Sequence, residues 1–65
     1  MNQFEFLARA HRALAMCAFS NDIKVSEVKV SYKSMVLIGF NNSTQCFVNL
    51  EFVSIEHLEK AAYGF

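Results

Sequence analysis

Met35-Val36-Leu37-Ile38-Gly39-Phe40 carries no polar side chain, and Asn41-Asn42-Ser43 follow it. A short apolar run rich in β-branched and aromatic residues, closed by turn formers, reads as a strand buried on both faces. Each face of such a strand needs apolar cover. The chain's own helices supply one cover. A further helix or another molecule must supply the other.

The sequence on either side reads as two partner strands. Val28, Val30 and Tyr32 alternate with Lys29, Ser31 and Lys33, the pattern of a half-buried strand with a basic outer face. Ile23 and Val25 fall out of phase with it, which predicts a bulge or strand start near Ser26-Glu27. Lys33-Ser34 reads as the first turn and Asn41-Asn42-Ser43 as the second. Thr44 to Val53 forms the third strand. With two central residues in each turn, Tyr32 faces Met35 and Val30 faces Leu37. Across the second turn, Leu37 then faces Cys46 and Met35 faces Val48. One sheet face collects Val28, Val30, Tyr32, Met35, Leu37, Gly39, Cys46, Val48, Leu50 and Phe52, with Gly39 leaving room for a helix to approach. The opposite face collects Lys29, Ser31, Lys33, Val36, Ile38, Phe40, Gln45, Phe47, Asn49 and Glu51, apolar at its centre and charged at its edges.

Helices flank the strands. Asn2 is an N-cap, with Glu5 three residues on in a capping-box arrangement and Met1 and Phe6 at staple positions. Residues 3 to 19 contain neither Gly nor Pro. At 100° per residue, Phe4, Leu7, His11, Leu14 and Ala18 make one stripe, and Phe6, Ala10, Ala13 and Cys17 a second beside it. An apolar arc this wide exceeds what one sheet covers. Glu5 and Arg9 form an i,i+4 pair on the narrow polar strip with Arg12. Ser20-Asn21-Asp22 ends this helix. Ser54 caps the last helix, with Val53 and Leu58 at staple positions. Ile55, Leu58, Ala61, Ala62 and Phe65 form its buried stripe, and Glu56, His57, Glu59 and Lys60 its outer face. Gly64 is its natural C-terminal stop. The expected fold is α+β: α-β-β-β-α over residues 1–65, one small domain, a three-stranded antiparallel meander with both helices packed on one face.

Sixty-five residues that are 54% hydrophobic and 14% aromatic are too apolar for a disordered chain. A core of this size supplies roughly 3–5 kcal/mol by itself, so self-association is a common remedy. Six basic and six acidic residues cancel. That removes the basic excess of a nucleic-acid binder and favours association over repulsion. Cys17 and Cys46 fall on apolar faces and read as free buried thiols of a reducing cytoplasm, not as a disulfide framework. Arg9 and Arg12 interrupt any signal-peptide core, and no apolar run reaches the ~20 residues of a membrane span.

The residues available for chemistry are few. His11, mid-helix, reads as a core or interface histidine bonded to a backbone carbonyl, and His57 as a surface group. His11, Cys17, Cys46 and His57 lack the short spacings of a zinc site. A Cys46–His11 nucleophile pair has no neighbouring cation to activate the thiol. Asp22 is the only Asp, and no phosphate loop or nucleophile elbow occurs. No catalytic residue, metal or cofactor is expected. Lys24, Lys29 and Lys33 along the first strand read as guards of an edge strand.

The element order and length resemble those of double-stranded-RNA-binding domains. That family's signature is a Lys-rich start to the last helix. Here the place holds Ser54-Ile55-Glu56-His57-Leu58-Glu59-Lys60, which is acidic, so the resemblance implies the topology and not the RNA contact. A nucleic-acid-binding domain remains the alternative function. The leading expectation is a stand-alone, non-enzymatic protein-binding module, an inhibitor or regulator that occupies a surface of a larger protein. By size and style it is analogous to the small proteins of phages and mobile elements. Val36, Ile38, Phe40 and Phe47 would be its apolar anchor and Lys29, Lys33 and Glu51 its polar rim, with a homodimer or higher oligomer expected.

Overall fold

In the computed structural model, which describes residues 2–64, an N-terminal helix α1, Gln3–Ser20, leads into three strands and a closing helix. The strands are β1, Ile23–Ser31; β2, Ser34–Asn41; and β3, Cys46–Phe52; the helix α2 spans Ile55–Tyr63. The sheet is antiparallel in the order β1-β2-β3, so the apolar run of residues 35–40 is the middle strand.

The caps set the helix starts. The Asn2 side chain accepts from the Glu5 N–H at 2.8 Å and donates to the Glu5 carboxylate at 3.3 Å. Met1, at its staple position, and Phe65, in the last helix's stripe, lie outside the described residues. Asn21 closes α1 with its backbone N–H and its side chain both donating to the Cys17 carbonyl, at 3.2 and 2.8 Å. Ser54 accepts from the His57 N–H at 3.2 Å, and Gly64, at φ +80°, ends α2 by donating to the Lys60 carbonyl. At the expected staple positions Leu58 is buried and Val53 is largely exposed.

Both helices pack on one face of the sheet. Their buried residues, Phe6, Ala10, Ala13, Leu14, Cys17 and Ala18 from α1 and Ile55, Leu58 and Ala62 from α2, cluster with Met35 and Leu37. Ile23, Val28, Val30, Leu50 and Phe52 complete this layer from the sheet. The centre of the α1 arc differs from the expected one. Phe4 and His11 are exposed and the alanines are buried, because Ala10, Ala13 and Ala18 admit a close approach that larger side chains would block. His11 is therefore not a core histidine. In α2, Ala61 is exposed and Glu59 half-buried, the reverse of the expected pattern. The guanidinium of Arg9 bonds Glu59 across the helix–helix contact, and Glu5 adds only a weaker attraction.

The register also differs. Val30 pairs with Met35 and Val28 with Leu37, with Tyr32-Lys33 as the turn's two central residues. Tyr32 thus leaves the strand, and its ring packs on Phe6 at 4.7 Å. On the other side Leu37 pairs with Leu50, Gly39 with Val48 and Asn41 with Cys46. Four residues make this second turn because the Asn41 side chain accepts from the N–H groups of Ser43 and Thr44, at 2.8 and 3.1 Å. Strand β3 consequently starts at Cys46 rather than Thr44. Cys46 is exposed, which corrects the expectation of two buried thiols; Cys17 is buried. The bulge falls between Val25 and Glu27, as the phase break requires, with the Ser26 hydroxyl donating to the Ile38 carbonyl at 3.1 Å. What approaches Gly39 is not a helix but β1. A Cβ there would lie 2.4 Å from the Lys24 carbonyl oxygen and 2.7 Å from Ile23 Cγ2.

Candidate functional site

Alternation along β2 sends Met35, Leu37 and Gly39 into the helix layer and Val36, Ile38 and Phe40 to the opposite face. Neither helix crosses to that second face. The pairings arrange it in three rungs. Lys29, Val36 and Glu51 form the first; Glu27, Ile38 and Asn49 the second; Lys24, Phe40 and Phe47 the third. Val36, Ile38 and Phe40 are half-buried by their neighbours, while Phe47 is 86% exposed. The rings of Phe40 and Phe47 meet edge to face at 5.2 Å.

The charged groups sit at the two long edges. Lys29 Nζ lies 3.6 Å from Glu27 on the β1 edge. Glu51, on the β3 edge, accepts from the Ser34 hydroxyl at 3.0 Å. The chain thus brings Val36, Ile38, Phe40, Phe47, Lys29 and Glu51 onto one face. Lys33 stands apart from them in the β1–β2 turn, beyond the last ladder pair of Ser31 with Ser34. Lys24 and Glu27 complete the charged edge of β1. The sequence reading missed their place because the bulge at Ser26 shifts the phase of the strand, and only the pairing partner reveals which way.

A second exposed apolar set lies on α1, where Phe4 and Phe19 are 82% and 83% exposed. They are a helix length apart and no apolar ring joins them.

The remaining chemical groups do not converge. His11 lies on the exposed side of α1, and Cys46 at the turn end of the sheet. Among the described residues no three of His, Cys, Asp and Glu come together, and no pocket is present. Burial pushes the Cys17 thiol up from its ordinary value, which keeps it protonated. No helix is long and apolar enough to cross a membrane. The chain matches no known protein family, no characterised protein and no solved structure. The likeness to double-stranded-RNA-binding domains therefore rests on the order of elements alone.

Proposed function

We propose that this chain is a non-enzymatic protein-binding module, an inhibitor or regulator that acts by occupying a surface of a larger protein with the open face of its sheet. One observation carries the reading. An apolar centre of half-buried Val36, Ile38 and Phe40 and exposed Phe47 lies between charged edges, uncovered by either helix, while both helices pack on the other side. That is the anatomy of an interface, an aromatic and aliphatic anchor inside a polar rim. The cytoplasm suits it, since both cysteines are free thiols. One of the cations that a nucleic acid would need, Arg9, is committed to Glu59.

Affinity capture from the native cell with the wild-type chain, followed by titration of the recovered protein in purified form, tests the reading. Phe47→Ala and Ile38→Asp should abolish that binding while circular dichroism stays native. A target that binds both variants as well as wild type overturns the choice of face. Recovery of RNA or DNA with a steep loss of affinity in salt overturns the choice of partner.

A further inference from the structure

The open face is self-complementary in one orientation. Consider a second copy laid face to face on the first, related by a two-fold axis parallel to the strands and midway between the sheets. The rotation keeps every rung at its own level and places β1 of one copy over β3 of the other. In the first rung, Lys29 then stands over Glu51 of the second copy, and the symmetry repeats this contact. Val36, Ile38 and Phe40 stack on their own counterparts along the axis. In the third rung Lys24 lies over the exposed Phe47 ring, a cation–π arrangement, and in the second Glu27 lies over Asn49.

The other face-to-face two-fold, perpendicular to the strands, does the opposite. It sets β1 over β1 and exchanges the outer rungs. Lys29 meets Lys24 twice, and Glu27 meets Glu27. Like charges in direct opposition disfavour it. The distribution of charge over the three rungs therefore selects one dimer out of the two. The tilt of about 30° between stacked sheets is met by turning the axis roughly half that angle from the strands, which leaves the rung contacts in reach.

We propose that the open sheet face is covered by a second copy of this chain, in a two-fold sandwich whose paired ends are Lys29 against Glu51. The proposal rests on the reading of that face as a docking surface and names the occupant it has when no target is bound. Target and second copy then compete for one surface. Three strands about 4.8 Å apart and some seven residues long give a footprint of roughly 15 by 23 Å. That is well under the ~800 Å² per partner of a standard interface, so a weak dimer with a dissociation constant above roughly micromolar is expected.

Sedimentation of the full chain from below to well above that concentration should show a reversible monomer–dimer equilibrium. Lys29→Glu and Glu51→Lys, each alone, should weaken it about tenfold or more by placing two like-charge pairs across the interface. Mixed in equal amounts, the two variants should form a heterodimer near wild-type strength, because both pairs are again of opposite charge, one as in the wild type and one with its sign reversed. The double variant Lys29→Glu/Glu51→Lys should dimerise likewise, and both side chains are solvent-exposed, so the fold is not at stake. A monomer at every concentration, or a mixture that associates no better than the separate variants, overturns the proposal. If the chain stays monomeric while Ile38→Asp still releases a target, the second copy is wrong and the docking face stands. If the charge-swapped mixture dimerises while targets ignore Ile38→Asp, the reverse holds.

Discussion

Arg9 on α1 and Glu59 on α2, fifty positions apart in the chain, meet in a forked ion pair, with Nε donating to one carboxylate oxygen at 3.0 Å and a terminal nitrogen to the other. The contact ties the two helices together beside the apolar cluster that seats them on the sheet. A bidentate guanidinium–carboxylate pair is directional where a lysine pair is not.

The pair makes stability depend on pH with a defined sign. The hydrogen bonds from Arg9 hold the Glu59 carboxyl below its ordinary value, partly opposed by burial. A carboxylate whose folded pKa is depressed stabilises the fold above the unfolded value, about 4.3, and loses that contribution as pH falls through the folded value. Glu59→Gln should therefore lower Tm at pH 7, and the gap to wild type should close below about pH 4. Thermal melts of both chains across that range check it; a gap that widens in acid contradicts the assignment.

Gly39 and Gly64 should respond differently to alanine. At Gly39 the new Cβ meets the Lys24 carbonyl oxygen and Ile23 Cγ2 well inside contact distance, and the first of these is backbone. Overpacking of this kind costs ~3 kcal/mol or more, comparable to everything a core of this size supplies. Gly39→Ala should be largely unfolded. Gly64 has open space around it but sits at φ +80°, so Gly64→Ala pays only the left-handed strain of about 1 kcal/mol. Urea titration of the two variants measures the contrast, and equal midpoints would refute the account of Gly39.

The strand pairings show what the sequence made legible. The strand faces were readable because alternation has a period of two. The actual pairings differ from the expected ones by two positions between β1 and β2 and by four between β2 and β3. Both shifts are even, so Met35 and Leu37 stay in the core and Val36, Ile38 and Phe40 stay outside. The pairings themselves were not readable. They depend on turn chemistry, on Asn41 bonding forward to Ser43 and Thr44, which alternation does not encode. The α1 wheel erred for another reason. Hydrophobicity ranks Phe4 above Ala10, but close packing against sheet and α2 selects the smaller residue. The Arg9–Glu59 pair left no local trace, since its partners share no helix.

The two thiols should separate cleanly by reactivity. Cys46 is exposed at the first residue of β3, while Cys17 is buried and its thiol pushed up by desolvation. Only thiolate reacts with alkylating agents, so iodoacetamide should label Cys46 in the native chain and Cys17 only after denaturation. Mass spectrometry of the labelled peptides reads this directly. Labelling of Cys17 at a rate matching Cys46 would mean that α1 opens readily from the core.

Amide exchange tests the sheet and the proposed pairing together. Strand β2 lies between two partners, so its N–H groups alternate between the β1 and β3 ladders. The N–H groups of Val36 to Phe40 should exchange slowest in the chain, through global unfolding alone. The outward N–H groups of β1 and β3 have no ladder partner and should exchange fast. A face-to-face dimer stacks side chains and leaves those edge groups untouched. An edge-to-edge dimer would extend the sheet and protect alternate amides along one outer strand. Raising the concentration through the monomer–dimer transition should therefore leave the outward amides of β1 and β3 unprotected while Phe47 and Ile38 side-chain resonances shift. New protection confined to every second amide of one edge would show that the copies join by their edges, and the open face would then stay free in the dimer.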